Sequence, residues 1–381
     1  MFSEAGLSVS LRVRDGAVAA VLIRSTRMVQ AARLFAKRPP TEVLHLLPTV
    51  FSLCGTAQAV TGLNAMEKAA AITASPAQKA ARTLLVLAET VTEHGLTIAR
   101  DWPALAGGQP RLDHAKRIRG ALAGLRGTLY PQGDWLSPGG GTLTADCDRI
   151  CAAIDQARQA ITQLMGHDID ELVLPIAFQA WLERDPTHLP GLVQAKGWAG
   201  IGAAPFLPMP EMGPPDLAAR MATDRDGQYL ARPDCAGRVF ETGSLAHWSW
   251  HPLISDLMDR FGAGLLPRLA ARLVALAEGL REMEELVRDL KPEPACSLPG
   301  LSGEGLTLTE AARGLLAHRV VLNDGKISQY QILAPTEWNF HPEGPLARAL
   351  HGLPAGPDLE WKARLLINAL DPCVACAITL E

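Results

Sequence analysis

One stripe of apolar residues constrains this chain more than any other feature. Leu266, Leu269, Leu273, Leu276, Leu280, Met283, Val287 and Leu290 follow one another in steps of three and four. At 3.6 residues per turn those positions share one face, so 265–291 reads as a single long helix. Glu284 and Arg288 can pair one turn apart on its other face. So long a stripe must be covered, either by a second copy in a coiled coil or by the rest of this chain in a helical core.

Other helices carry local start and stop signals. Ser75-Pro76-Ala77-Gln78 has the form of a capping box with proline at the first helical position, and the helix is expected to run to His94, with Gly95 as its stop. Further helices are expected over about 113–129 and 144–165, over 168–183 with a bend or start near Pro175, and over 358–370. The stretch 184–215 is rich in Pro and Gly and reads as an irregular connection. Two hairpins are marked by turn dipeptides suited to positive φ: Asp15-Gly16 between 7–14 and 17–25, and Asp324-Gly325 between 319–323 and 326–333.

Lys plus Arg number 36 and Asp plus Glu 40, a net charge of -4. That balance leaves no electrostatic footprint for nucleic acid or an anionic membrane surface. No apolar run reaches the length needed to span a bilayer, and the start has neither a Sec-type nor a twin-arginine leader. The cytoplasm is the expected compartment. An odd count of seven cysteines, mostly scattered, fits reduced thiols better than a disulfide framework.

The chemistry-bearing residues are those cysteines. Asp371-Pro372-Cys373-Val374-Ala375-Cys376 places two thiols three positions apart, a spacing at which a tight turn or a first helical turn presents both sulfurs on one side. Soft thiolates suit iron, nickel, zinc or copper(I). A redox pair is the other reading of such a spacing, but that motif belongs in a βαβ context. Cys54, in Phe51-Ser52-Leu53-Cys54-Gly55-Thr56-Ala57-Gln58, precedes small, helix-favouring residues. At a helix start, backbone N–H groups and the helix dipole would favour its thiolate; otherwise it is a small buried apolar residue. Cys147 and Cys151 share a helical face without further ligands, and His247 and His251 lie among Trp248, Trp250 and Pro252. Both pairs read as packing or surface display.

The tail resembles the end of nickel–iron hydrogenase large subunits, Asp-Pro-Cys-x-x-Cys-x-x-His. Thr309-Glu310-Ala311-Ala312-Arg313-Gly314-Leu315-Leu316-Ala317-His318 resembles that family's Glu-Ala-Pro-Arg-Gly block, and Asp324-Gly325-Lys326-Ile327, Tyr330-Gln331 and Pro335-Thr336-x-Trp338-Asn339 follow in family order. Phe51–Gln58 resembles the family's Arg-Ile-Cys-Gly-x-Cys, and Gly237–His247 its Glu-Val-Gly-Pro-Leu-Ala-Arg. The resemblance implies an α+β, predominantly helical fold: a hydrogenase large-subunit-like helical core with small peripheral antiparallel sheets. It implies a single domain over 1–381, with an N-terminal hairpin at 7–25, a helical core over about 55–291, and a C-terminal hairpin and metal-site tail over 305–381. The family counterpart of 265–291 is a scaffold helix, which selects the core-helix reading.

In hydrogenases of this family four cysteines hold nickel, and two of them bridge to an iron bearing cyanide and carbon monoxide. The implied counterparts here are Cys54, Cys373 and Cys376, with Ala57 in the fourth place. Alanine has no lone pair, so those positions cannot build a four-thiolate nickel site. Arg313 would stabilise an anionic metal cyanide with its permanently charged fork. Asp371 would accept from donors nearby or cap the last turn. Glu4 lies near a family glutamate linked to proton transfer, although a solvated carboxylate is the plainer reading. Thr379 replaces the final His, which makes a structural magnesium doubtful, and only Leu380 and Glu381 follow, so no cleavable extension is expected.

This pattern resembles the large-subunit-like hydrogenase maturation proteins of the HupK/HoxV type. The implied function is a non-catalytic scaffold in nickel–iron hydrogenase maturation. It would hold an iron–cyanide–carbonyl unit transiently and not nickel, with maturation proteins and the hydrogenase large subunit as partners. The alternative is a divergent catalytic large subunit, and a plainer one is a docking relative that binds no metal.

Overall fold

The computed structural model describes residues 5–295 and 302–381; Glu4 lies outside them. Two small sheets flank a helical body. The first has strand order β2-β1-β6, from β1 (Gly6–Arg14), β2 (Ala17–Ser25) and β6 (Ala375–Leu380). The second has order β3-β4-β5, from β3 (Gly303–Ala311), β4 (Gly314–Asn323) and β5 (Lys326–Leu333). Both expected hairpins form, and their turns use the residues chosen for them: φ is 52° at Asp15 and 78° at Gly16, 50° at Asp324 and 71° at Gly325. The expected antiparallel pairing holds for β1 with β2 and throughout β3-β4-β5. The tail adds a parallel partner, with Leu7 opposite Cys376 and Leu11 opposite Leu380.

The predicted core helix runs Leu265–Val287, and its N-terminal half is buried all round, Arg268 and Arg272 included. It therefore packs inside this chain and offers no coiled-coil seam. A stripe was the sequence signal, but a helix enclosed on every side needs apolar or paired residues everywhere. Arg268 meets the latter condition: its Nε and Nη2 donate to the Glu241 carboxylate at 2.9 and 2.7 Å. Arg82 does the same with Glu67 at 2.8 Å on both arms.

Four further helices position the site: α1 (Pro40–Val50), α2 (Gly55–Ala69), α3 (Pro76–Leu105) and α4 (Leu112–Leu122). Ser75 caps α3 by accepting from the Gln78 N–H at 3.1 Å, as its sequence predicts. The helix does not stop at Gly95. It continues for ten residues, because Gly95 is where α4 packs: a Cβ there would lie 3.0 Å from Ile118 Cγ2. The stretch 113–129 breaks at Ala123-Gly124, and 168–183 divides at Pro175 into Ile169–Leu172 and Pro175–Arg184. Cys147–Met165 and Leu359–Leu370 form as expected, and 184–215 holds one short helix, Leu189–Ala195.

Close contact of α2 with β3 fixes the site's two halves relative to one another. Cβ atoms on Gly303 and Gly305 would lie 2.2 and 2.0 Å from the carbonyl oxygens of Ala69 and Ala65. Alternate residues of a strand share a face, so glycine at both lets helix backbone rest directly on strand backbone. No single helix among the described residues is long and apolar enough to cross a membrane.

Candidate metal centre

Cys54 and Cys373 line one cavity of about 290 Å³, together with Arg27, Gln58, Arg313, Thr336 and Glu337. Cys54 is the N-cap residue of α2, so the sequence placed it correctly before a helix. The helix start does not favour its thiolate, however. The Thr56 and Ala57 N–H groups donate to the Glu89 carboxylate from α3 at 2.7 and 3.0 Å, which uses the orphan donors of the first turn. Burial then pushes the Cys54 thiol up to about 12, with the nearby Cys373 adding to the rise and Gln58 opposing it. Without metal, Cys54 is a protonated thiol.

A relay of side chains orients Gln58. Its Nε2 donates to Cys54 Sγ at 3.6 Å, and its Oε1 lies 2.9 Å from His318 Nε2. That oxygen only accepts, so Nε2 of His318 carries the proton and Nδ1 accepts from the Tyr330 hydroxyl at 2.9 Å. Burial drives His318 down to about 3, so the imidazole stays neutral and the relay keeps one direction. Gly62 makes room for it, since a Cβ there would sit 2.5 Å from Tyr330 Oη.

Cys373 is held from the opposite side. Arg27 Nη1 donates to its sulfur at 2.9 Å, and Thr336 Oγ1 shares a hydrogen bond with it at 3.2 Å. Arg27 Nε lies 3.3 Å from Glu337 Oε1, and both side chains are mostly buried. Burial opposes the charge on Arg27, but Glu337 and then the two thiols outweigh it and raise the guanidinium above its usual range. Arg27 carries no signal in the sequence. It follows β2 in an unpatterned stretch, 346 positions from the sulfur it contacts.

Arg313 occupies the two-residue turn between β3 and β4, where Ala311 pairs with Gly314. Gly314 takes φ 120°, and a Cβ there would collide with Thr242 and the Gly243 nitrogen, so the Arg-Gly step is steric as well as chemical. Arg313 Nη2 donates to Glu93 at 3.1 Å and its Nε lies 3.6 Å from Asp371. Burial works against its charge, yet Asp371 and Glu93 raise it overall. Its Nη1 is buried without a hydrogen-bond partner. Glu89 and Glu93, one turn apart on α3, were missed in the sequence, where only their spacing marks them.

Asp371 does not line the thiol cavity. At φ 49° it ends the Leu359–Leu370 helix, and its carboxylate stands between Arg313 and Arg272, each 3.6 Å away. It therefore acts on the site through Arg313. A cavity of about 20 Å³ beside these three residues has room for one water.

Cys376 is not on the cavity wall. The tail bends at Cys373 and Val374, and from Ala375 it extends as β6, which carries Cys376 alongside Leu7 of β1. Burial pushes the Cys376 thiol up to about 11. Among the described residues no three or more His, Cys, Asp or Glu side chains converge as metal ligands. Ala57 is fully buried, and Thr379 shares a hydrogen bond with Ser10 at 2.7 Å on an exposed part of β6. Cys147 Sγ donates weakly to carbonyls of Ala145 and Val287. His251 caps the helix Pro252–Phe261 while His247 stacks edge-on against Trp248, so those imidazoles diverge.

A nickel-dependent hydrogenase family profile matches residues 266–379, which span the core helix, Arg313 and the tail. Over 377 residues the chain is 31% identical to the hydrogenase expression/formation protein HupV of Azotobacter chroococcum, covering 98% of each. It is equally identical over 377 residues to HupK of Bradyrhizobium diazoefficiens, covering 98% of this chain and 96% of that one. HoxV of Cupriavidus necator matches at 31% over 405 residues, with 98% and 96% covered. Among solved structures, the NiFeSe hydrogenase of Desulfovibrio vulgaris Hildenborough superposes with a TM-score of 0.72 at 17% identity, covering 95% of this chain and 94% of that one. The enzyme from Desulfomicrobium baculatum gives 0.72 at 16%, covering 95% of each. At such identities the structural likeness speaks for the fold alone. Matched over nearly its whole length by these relatives, the chain belongs to the HupK/HupV/HoxV family of hydrogenase expression/formation proteins and has the fold of NiFeSe hydrogenase large subunits.

Proposed function

We propose that this chain is a non-catalytic scaffold of hydrogenase maturation, working in the cytoplasm. It accepts an iron–cyanide–carbonyl unit as cargo between Cys54 and Cys373 and passes it to the hydrogenase large subunit. The observation that carries this reading is the composition of one cavity wall. Two thiols face two buried guanidinium groups, and one of those, Arg313, has a buried N–H without a partner. Thiolates suit a soft iron, and guanidinium N–H groups suit anionic cyanide ligands projecting from it.

Two thiols leave most of an iron's coordination sphere to the cargo's own ligands or to a partner's donors. A carrier must release what it holds, and a closed four-ligand protein site would oppose release. The large subunit, with more sulfur ligands, would draw the unit away. With Ala57 in the place of a fourth ligand, stoichiometric nickel and hydrogen turnover are not expected. Cys376, two strand positions inside β6, would join the iron only if the tail detached from β1.

The test is complementation of a hydrogenase-producing host that lacks this chain. Cys54→Ala and Cys373→Ala are expected to lower hydrogenase activity at least tenfold while the variant chains accumulate normally. Full maturation with both variants would contradict the carrier reading and leave a docking role alone.

A further inference from the structure

Behind the thiol cavity, across the end of β3, lies a second cavity of about 320 Å³, formed by α2, α3, β3, the core helix and the Ser244–His247 segment. Ala311 contributes to both walls. The second cavity is lined by Glu310, Glu282, His94 and His247, with Trp248 as its largest apolar side chain, and no Lys or Arg lines it. The Glu310 carboxyl has neither a hydrogen-bond nor an ion-pair partner among the described residues. His94, only 2% exposed, has its Nδ1 buried without a partner, while Nε2 meets Ser244 Oγ at 3.4 Å.

Unpartnered polar groups in a packed interior cost free energy, and His94 Nδ1 is one of them, whereas half-buried Glu310 and exposed Glu282 keep accessible surface. Burial alone pushes Glu310 up to about 8. Burial, then Glu285, raises Glu282 from the core helix. Burial and the charges of Arg272 and Arg313 hold His94 well below its ordinary value, and burial lowers His247 against the pull of Glu211. Both imidazoles are therefore neutral at pH 7, and the only charges the wall can develop are negative.

We propose that this cavity binds a small organic cation of the guanidinium or alkylammonium class, held by the carboxylates of Glu310 and Glu282. An anion would find no basic side chain. A single metal ion would find no three converging ligands. Glu310 comes from β3 and Glu282 from the core helix, and a polyatomic cation with several N–H donors offers bonds to both. His94 Nδ1 and the hydroxyl of Thr309 are further partners. The site stands independently of the metal reading of the cavity in front.

Binding moves one proton. The cation enters, protonated Glu310 releases its proton to buffer, and the resulting carboxylate pairs with the cation. Titration calorimetry of the full chain with methylguanidinium, against N-methylurea as the neutral isostere, tests this. Saturable methylguanidinium binding is expected at least tenfold tighter than methylurea. It should tighten about tenfold from pH 7 to pH 9, with a binding heat at pH 7 that depends on the buffer's ionisation enthalpy. Glu310→Gln should lose the proton release and at least tenfold in affinity while retaining its thermal unfolding transition. Glu282→Gln should weaken binding less, and Cys373→Ala should leave it unchanged. Equal binding of both compounds, no saturation, or unaltered binding by Glu310→Gln would overturn the proposal and leave a water-filled cavity.

Discussion

The two cavities on either side of the end of β3 are made of opposite materials. The front one sets two thiols under Arg27 and Arg313; the rear one sets two carboxyls beside two neutral imidazoles and has no basic side chain. The strand between them supplies both, with Glu310 lining the rear and Arg313 the front. Adjacent compartments with such opposite linings show that burial alone does not set the chemistry here. The ion pairs behind each wall do: Glu93, Asp371 and Glu337 support cations at the front, whereas nothing supports Glu310.

The contrast can be broken most severely at Arg313. Arg313→Met removes the front cavity's cation and leaves Glu93 buried without its partner, an expected loss of about 3 kcal/mol in denaturant unfolding. Because Arg313 also helps to depress His94 in the rear cavity, the imidazole should titrate at higher pH in this variant, as read by NMR. A smaller loss, about 2 kcal/mol, is expected for Gly305→Ala. The new Cβ would press on the Ala65 carbonyl and displace α2, with Cys54, from β3. Unchanged stability would mean that α2 and β3 are not in direct backbone contact.

Arg27→Gln should weaken retention of iron about tenfold through loss of the charged donor to Cys373, and Arg27→Lys should restore only part of it. Iron content after gel filtration reads this, and equal retention by all three forms would remove Arg27 from the site. The smallest effect is on pH dependence. The Cys54 pKa is raised on folding, so its contribution to stability is fully present below the usual thiol range and is lost as pH rises from about 9 toward 12. From pH 9 to 10 the metal-free chain should lose about 1 kcal/mol, and Cys54→Ser should flatten that slope.

Features set by local chemistry were legible in the sequence. Asp15-Gly16 and Asp324-Gly325 announce turns because their backbones need positive φ, and Ser75 announces a helix start because its oxygen meets an orphan N–H. The core helix was legible from spacing, and the large-subunit fold from ordered motifs. Contacts between distant segments were not. Gly95 looks like a stop but serves helix packing, and β3 has two glycines where strand-forming residues would signal it. Arg27 reaches Cys373, and Glu89 reaches the start of α2, only after the chain has folded. Cys373 and Cys376 looked like one ligand pair because spacing is visible in sequence, whereas the parallel pairing of β6 with β1, which holds Cys376 off the cavity wall, is not.

In the proposed role, Cys54 and Cys373 carry an iron–cyanide–carbonyl unit between the two guanidinium groups. Its most direct test is infrared spectroscopy of the full chain, purified without oxygen from cells that are assembling hydrogenase. Cyanide and carbonyl stretching bands are expected on the isolated protein, lost in Cys373→Ala and Cys54→Ala and shifted in Arg313→Lys. No such bands on the unaltered chain, or bands that persist in both cysteine variants, would contradict it.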